Sequence, residues 1–245
     1  YNPQGPNHWL KAFLDSKADV FSQTYTIDDN PFLPEAFVEN LKREYRGTVF
    51  YDRYILGRWA LAEGLIYPMF GESNIVDEEP PAGRYYISVD YGTLNPFSAG
   101  LWCVTKQGAV RIKEYYYSGR GTQKQLTDEE YYQAIRELAD GYNVDYVVID
   151  PSAASFITTV FRHNEFHVVK ANNDVMDGIR RTSVYLKSGE LKIHRQCKDA
   201  IREFGLYRWD EESTVDKVIK ADDHAMDDIR YFANTILVRY FPVMR

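Results

Sequence analysis

The sequence predicts an α/β fold in which a mixed sheet is covered by helices on both faces. Two observations support this prediction: three apolar strands follow one another with short connections between residues 85 and 117, and from residue 127 onward helices and strands alternate. Consecutive strands joined by short turns pair antiparallel, whereas strands separated by helices usually pair parallel. With 245 residues, the chain is long enough to bury the core that such a sheet needs.

Apolar periodicity and capping signals place each element from residue 85 onward. The predicted strands are residues 85–89, 98–104, 109–117, 144–149, 167–170 and 191–194. The predicted helices begin at about 127, 155, 174, 198 and 223, and the last of them runs to about residue 240. Thr127 and Glu130 have the spacing of a capping box, Gly141 is expected to end that helix, and Asp174 and Asp223 are expected to be N-caps.

The amino-terminal part has a different character. Residues 1–76 are rich in turn formers and contain one clear helical pattern at 34–45, with Pro34 in its first turn. The acidic, proline-rich stretch 77–81 reads as a boundary. We therefore expect an irregular, partly helical extension over residues 1–76 and an α/β domain over residues 77–245.

Composition excludes several classes of protein. The net charge of −7 argues against strong non-specific binding of polyanions, although a local basic groove or a carboxylate metal site remains compatible with it. Cys103 and Cys197 lie far apart without a CxxC pattern, so we expect a reducing environment and neither a disulfide framework nor a thiolate zinc site. No apolar run approaches the roughly 18 residues that span a bilayer, and we expect no signal peptide. Because the chain begins at Tyr1, we expect it to be part of a longer protein.

Acidic residues mark the candidate site. Asp90 and Asp150 each follow an apolar strand, the position at which α/β sheets bind ligands, although either alone could be a turn or cap residue. In the last predicted helix, His224 and Asp227 share a face, while Asp228 points about a quarter turn away. Three carboxylates, one of them shared, can hold two divalent ions about 4 Å apart. His224 would add a nitrogen ligand that makes Mn²⁺ more competitive with Mg²⁺, act as a general base or acid, or serve only as the hydrogen-bond partner of a neighbouring carboxylate.

A nucleotide site is the first rival interpretation. The Asp90-Tyr91-Gly92-Thr93 turn between two strands also occurs in the first phosphate loop of actin-like and sugar-kinase ATPases. The corresponding second turn, residues 150–153, has no glycine, and the chain is short for that two-domain superfamily. No G-x-x-x-x-G-K-[ST] sequence occurs, which excludes a P-loop within these residues.

Taken together, these motifs resemble the large terminase subunit of tailed bacteriophages. The strings are ISVDYGTLNP at 87–96, VIDPSAAS at 148–155 and DHAMDDIRY at 223–231. The resemblance extends to the amino-terminal part through NP at 2–3, HW at 8–9, DNP at 29–31, GRW at 57–59 and EGLIYP at 63–68. It thus covers nearly the whole chain, and its motifs are specific in combination.

The resemblance implies the end of a packaging ATPase region and linker over residues 1–76, followed by a nuclease domain with an RNase H-like fold. It implies endonucleolytic cutting of concatemeric viral DNA, with metal-binding acids at Asp90, Asp150 and Asp227, together with His224 and two Mg²⁺ or Mn²⁺ ions. The implied partners are double-stranded DNA, the ATPase domain of the same polypeptide, the portal protein and the small terminase subunit, without a membrane. The implied location is the cytoplasm of the infected bacterium, at the procapsid portal.

Three questions stay open in the sequence. Asp228, or even Asp223, could replace Asp227 at the metal. A predicted hairpin over residues 207–220, suggested by the alternation in 214–220, could place Lys217 and Lys220 on DNA phosphates or gate the cleft, or it could be a solvated loop. Finally, another RNase H-like enzyme of the resolvase or integrase type, or an assembly module with an inactive site, would share part of the acidic cluster.

Overall fold

The computed structural model describes residues 8–16, 20–213 and 215–243. The Asn2-Pro3 string and Thr214 of the predicted hairpin lie outside the described residues. The chain divides into two compact units, residues 1–68 with 208–219 and residues 69–207 with 220–245. No helix among the described residues is both long enough and apolar enough to cross a membrane.

The second unit is built on a seven-stranded mixed sheet, as predicted. Its strands are β1 Ile75–Val76, β2 Arg84–Asp90, β3 Phe97–Val104, β4 Ala109–Tyr117, β5 Val144–Ile149, β6 Val168–Lys170 and β7 Leu191–His194. The order across the sheet is β1-β7-β4-β3-β2-β5-β6. Strands β2, β3 and β4 form the expected antiparallel meander, and every other neighbouring pair is parallel.

Helices cover both faces of this sheet. They are α3 Gly119–Thr122, α4 Asp128–Ala139, α5 Ala154–His163, α6 Val175–Ser188, α7 Lys198–Phe204, α8 His224–Phe232 and α9 Val238–Tyr240. Alternate strand residues such as Ile87 and Val89 pack against α4 and α5 in the main core. Trp102 points to the other face and stacks on Phe232 of α8, with ring centroids 4.1 Å apart. Successive side chains of a strand point to opposite faces of the sheet, and they therefore pack against different helices.

Local signals set most helix ends. Thr127 and Glu130 form the predicted capping box, and Gly141, with φ +85°, follows the end of α4. Asp174 caps α6, since its side chain accepts a hydrogen bond from the Asp177 amide at 2.7 Å. The predicted last helix is present and runs to residue 240, with a π-helical stretch, Ala233–Leu237, between its α-helical parts α8 and α9.

The first unit contains α1 Trp9–Asp15, α2 Glu35–Tyr45 and a π-helical stretch, Tyr51–Ile55. Pro34 is the N-cap of α2 and not a residue of its first turn as predicted. In the segment 208–219, Trp209 and Val218 form an antiparallel bridge, so the predicted hairpin is present in part. Buried Arg53 holds this segment within the unit, with its Nη2 atom 2.7 Å from Asp216 Oδ1.

Candidate active site

Two aspartates lie at the carboxyl ends of neighbouring parallel strands. Asp90 is the last residue of β2, and Asp150 directly follows β5. Because Val89 pairs with Ile149 in the parallel register, both aspartates emerge at the same edge of the sheet. On its other side, β2 pairs antiparallel with β3, so the pairing direction of the sheet changes at β2. Ligand sites of α/β sheets form at such edges, outside the carboxyl ends of the strands.

Helix α8 packs on β2 and β3 and brings polar side chains to this edge. His224 Nδ1 lies 2.9 Å from Asp90 Oδ2, and the Tyr231 hydroxyl lies 3.5 Å from Asp90 Oδ1. His224, Asp227 and Tyr231 are spaced by three and four positions, which places them on one face of the helix. This face is the second half of the candidate site.

Asp150 is held by hydrogen-bond donors from three directions. The Ser152 amide lies 2.7 Å from Asp150 Oδ1, and Asn173 Nδ2 lies 3.4 Å from Oδ2. Burial opposes ionisation of Asp150, but these bonds and one from the Tyr231 hydroxyl outweigh it and lower its pKa. Asp150 therefore remains a carboxylate at neutral pH.

Each oxygen of the Asp227 carboxylate contacts a cation. Arg230 Nη2 lies 2.9 Å from Oδ1, and Lys220 Nζ lies 3.1 Å from Oδ2. The Arg230 guanidinium is itself held by the backbone carbonyl of Asn173 at 2.8 Å. A Cβ atom on Gly178 would overlap Cγ of Arg230, so glycine is required there for the arginine to fit.

Asp228 does not face this site. Its carboxylate is fully buried on the sheet side of α8, where it contacts Arg111 of β4 and accepts hydrogen bonds from the hydroxyls of Ser88 and Ser98. A Cβ atom on Gly100 would overlap the guanidinium of Arg111, which explains the glycine in β3. Of the two adjacent aspartates, Asp227 is thus the one that faces the site.

The amino-terminal end of α8 is capped by a residue that is distant in the sequence. Asp223 occupies the predicted N-cap position, but its side chain makes no capping hydrogen bond and lies 3.1 Å from Lys220 Nζ. Instead, the buried Glu203 of α7 accepts a hydrogen bond from the Ala225 amide at 2.7 Å. The other oxygen of Glu203 accepts one from the Tyr116 hydroxyl at 2.6 Å. Glu203 therefore satisfies a backbone amide that a local N-cap would normally satisfy.

Burial and neighbouring charges perturb the Asp90–His224 pair. Burial and, to a smaller extent, the charge of Asp227 raise the pKa of Asp90 to about 6, against the hydrogen bond from His224. Burial lowers the pKa of His224, but the hydrogen bond to Asp90 and the charges of Asp90, Asp223 and Glu203 raise it more, so the net direction is upward. This concentration of negative charge is a setting in which cations are favoured.

The donor chemistry suits hard divalent cations, because the edge offers carboxylate oxygens and one imidazole nitrogen. Within the described part of the chain, however, no three His, Cys, Asp or Glu side chains converge closely enough to hold a metal ion. The acidic groups are bonded to protein donors instead: Asp90 to His224, Asp150 to Ser152, and Asp227 to Arg230 and Lys220.

Most of the predicted residues lie around this edge, and some of their neighbours were not predicted. Lys217 belongs to the other unit, where its Nζ atom lies 3.5 Å from Asp210 Oδ2. Sequence reasoning assigned no role to Tyr231, Arg230 or Glu203. Tyr231 could have been found from its position four residues after Asp227 on the same helical face.

Two family models match the sequence. The model described as the terminase RNaseH-like domain matches residues 87–235, well over half of the chain. The chain belongs to the terminase large subunit family. The model of the amino-terminal part of T4likevirus-type terminase large subunits matches residues 1–73. The predicted RNase H-like fold is thereby confirmed. No curated protein matches the chain at a significant level.

Solved terminase structures agree with this assignment. The large terminase of a thermophilic bacteriophage, solved in complex with ATP-γ-S, is 42% identical, with a TM-score of 0.91 over 96% of this chain. The match covers 62% of that terminase, so this chain spans about three fifths of its length. The P22 large terminase nuclease domain shares the fold at 19% identity and a TM-score of 0.58, over 74% of this chain and 94% of that one. The large terminase nuclease of the thermophilic phage G20c with bound cobalt also shares the fold, at 9% identity and a TM-score of 0.53. The match covers 72% of this chain and 98% of that one.

Proposed function

We propose that this terminase chain is a metal-dependent endonuclease that cuts concatemeric double-stranded viral DNA during genome packaging. The observation that carries the proposal is the meeting of Asp90 and Asp150, at the ends of β2 and β5, with the His224–Asp227 face of α8. Hydrolysis of a phosphodiester needs an activated water and stabilisation of a charged leaving oxygen. A cluster of carboxylates that concentrates divalent cations supplies both requirements.

We infer that Asp90, Asp150 and Asp227, with His224, would hold Mg²⁺ or Mn²⁺, in a two-ion site. When bound, such ions lower the pKa of a water molecule and act as Lewis acids toward the phosphate. Asp90 would be the shared ligand, because β2 lies between β5, which precedes Asp150, and helix α8, which carries Asp227. Tyr231 would orient the Asp90 carboxylate through its hydroxyl.

The chain's own residues also organise proton transfer. Because His224 Nδ1 is engaged by Asp90, the tautomer with its proton on Nδ1 leaves Nε2 as the nitrogen that accepts a proton or binds a metal ion. The hydrogen bond fixes the ring orientation. Asp90 therefore orients His224 in addition to its role as a ligand.

The same proposal assigns a role to each of the two regions of the chain. Residues 77–245 would form the nuclease domain, and residues 1–76 would be the end of the packaging ATPase region and its linker. Double-stranded DNA, the ATPase domain of the same polypeptide, the portal protein and the small terminase subunit would be its partners. Cutting would take place in the cytoplasm of the infected bacterium, at the procapsid portal.

Cleavage of supercoiled plasmid by the full chain, followed on agarose gels with Mg²⁺, Mn²⁺, Ca²⁺ or EDTA, tests the proposal. We expect nicking and linearisation that require Mg²⁺ or Mn²⁺ and fall by roughly two to four powers of ten in Asp90→Asn and Asp227→Asn. Asp90→Asn should be at least as damaging as Asp150→Asn. Asp145→Asn, which alters an ion pair with the exposed Arg84, is the control and should cut normally.

Two outcomes would count against the proposal. A folded wild-type chain that shows no metal-dependent hydrolysis would indicate a docking or assembly module. Strong preference for a branched substrate over plasmid would favour an enzyme of the resolvase type.

A further inference from the structure

The two cations on Asp227 differ in how firmly they are held. The Arg230 side chain is 2% exposed and is anchored by the carbonyls of Asn173 and Asp174. The Lys220 side chain is 60% exposed, and its ammonium reaches the site by its flexible stem. Arg230 is therefore a fixed part of the structure, whereas Lys220 can move into water without unpacking the core.

The Lys220 ammonium bridges two carboxylates. Its Nζ atom lies 3.1 Å from Asp223 Oδ2 and 3.1 Å from Asp227 Oδ2. Both side chains are largely buried, at 5% and 10% exposure, so their charges need a counterion. Since Arg230 already contacts Asp227 Oδ1, Oδ2 is the oxygen that remains for a metal ion, and it is the one Lys220 contacts.

We propose that Lys220 is a displaceable counterion that occupies the cation position at Asp227 Oδ2, and that a divalent ion must displace its ammonium to bind there. The inference rests on the proposed metal-dependent function and identifies a residue that sets the metal affinity of the same site.

Competition of this kind has a defined consequence for metal binding. The Lys220 side chain reaches water, so its ammonium can leave the carboxylates, but while it contacts them it lowers the apparent affinity of a competing cation. Removing the charge of Lys220 while keeping much of its stem, as in Lys220→Gln, should therefore tighten Mn²⁺ binding by up to about fivefold. Lys220→Arg keeps the charge and should bind Mn²⁺ no more tightly than the wild type.

Lys217 provides a matched control. It lies three residues before Lys220 and pairs with Asp210, so Lys217→Gln changes the net charge by the same amount without touching Asp223 or Asp227. We expect its Mn²⁺ affinity to equal that of the wild type, which separates local competition from a general effect of charge.

The experiment is calorimetric titration of Mn²⁺ into the full chain without DNA, with thermal unfolding in EDTA to verify that each variant folds. The wild type should bind Mn²⁺, and Asp90→Asn should abolish or weaken this binding, which tests the proposed function. Tighter Mn²⁺ binding by Lys220→Gln, and not by Lys217→Gln, supports the proposed counterion role of Lys220. Equal or weaker binding by a folded Lys220→Gln, or equal tightening by Lys217→Gln, would overturn it while leaving the metal site intact. A wild type that binds no Mn²⁺ would overturn both.

Discussion

The carboxylate of Asp228 lies against the guanidinium of Arg111, with Oδ2 3.0 Å from Nη2, and neither side chain has exposed surface. The hydroxyls of Ser88 and Ser98 also donate to this carboxylate, so one helical residue is tied to three neighbouring strands. Successive residues of a helix point about 100° apart. Holding Asp228 against the sheet therefore fixes the direction in which Asp227 projects.

Asp228→Ala should be one of the most destabilising single changes in the sheet-containing unit. It removes the closest counterion of the buried Arg111 guanidinium and leaves only the more distant Glu114 carboxylate, 3.8 Å away. Removing one partner of a buried ion pair costs about 3–5 kcal/mol. Urea unfolding of the two proteins in EDTA measures the loss. Asp145→Ala is the control, because its partner Arg84 is exposed and such pairs contribute about 0–1 kcal/mol. Similar losses of unfolding free energy in the two variants would show that the buried Asp228–Arg111 pair stabilises the protein no more than the exposed Asp145–Arg84 pair does.

Much of the fold could be predicted because its signals are local. The meander β2–β3–β4 follows from short apolar segments with tight turns, and α4 follows from Thr127 and Glu130. The neighbours of β7 could not be predicted, because β7 pairs with β4 and β1, which are distant in sequence and leave no local pattern. Strand β1, with two residues, was not predicted at all.

The candidate site also has some features that follow from local sequence patterns and others that do not. Because Asp90 and Asp150 each follow a predicted strand, the sequence places both at the same edge of the sheet. Helical spacing favours Asp227 over Asp228 as the residue that shares a face with His224. The partner that holds Asp228 is Arg111, which lies 117 positions earlier, so no sequence pattern connects the pair. Alternation grouped Lys217 with Lys220, whereas the structure pairs Lys217 with Asp210 and Lys220 with the carboxylates of α8.

Tyr231→Phe should reduce DNA cleavage roughly tenfold with little change in stability, because it removes one hydrogen bond to charged groups. The Tyr231 hydroxyl lies 3.5 Å from Asp90 Oδ1, and burial raises the pKa of Tyr231, so the phenol stays neutral and acts as a donor. Initial rates of plasmid nicking with Mn²⁺ provide the measurement. Tyr240→Phe, which removes a hydroxyl bonded to Tyr86, is the control. An unchanged rate for Tyr231→Phe would mean that the hydroxyl does not organise the carboxylates.

Glu203 should make the protein less stable as the pH rises through neutrality. Burial raises the pKa of Glu203 from 4.5 to about 7, against hydrogen bonds from Tyr116 and Ala225 and the charges of His224 and Arg202. Below pH 4.5 the carboxyl is protonated in both the folded and unfolded states, so its stabilising contribution is complete. Between 4.5 and about 7 only the unfolded state ionises, and the contribution is lost as the pH passes through the folded-state pKa.

Glu203→Gln isolates this effect, because the amide keeps the shape of the side chain but does not titrate. The free energy of unfolding in urea, measured in EDTA at about pH 5 and about pH 8.5, should shift in favour of the variant by up to about 3 kcal/mol between the two pH values. The pKa of His224 is also raised, but His224 is present in both proteins, so its contribution largely cancels in the comparison. Parallel stability profiles would mean that Glu203 ionises in the folded protein as readily as in the unfolded chain, and that ionisation of the group capping α8 carries no energetic penalty.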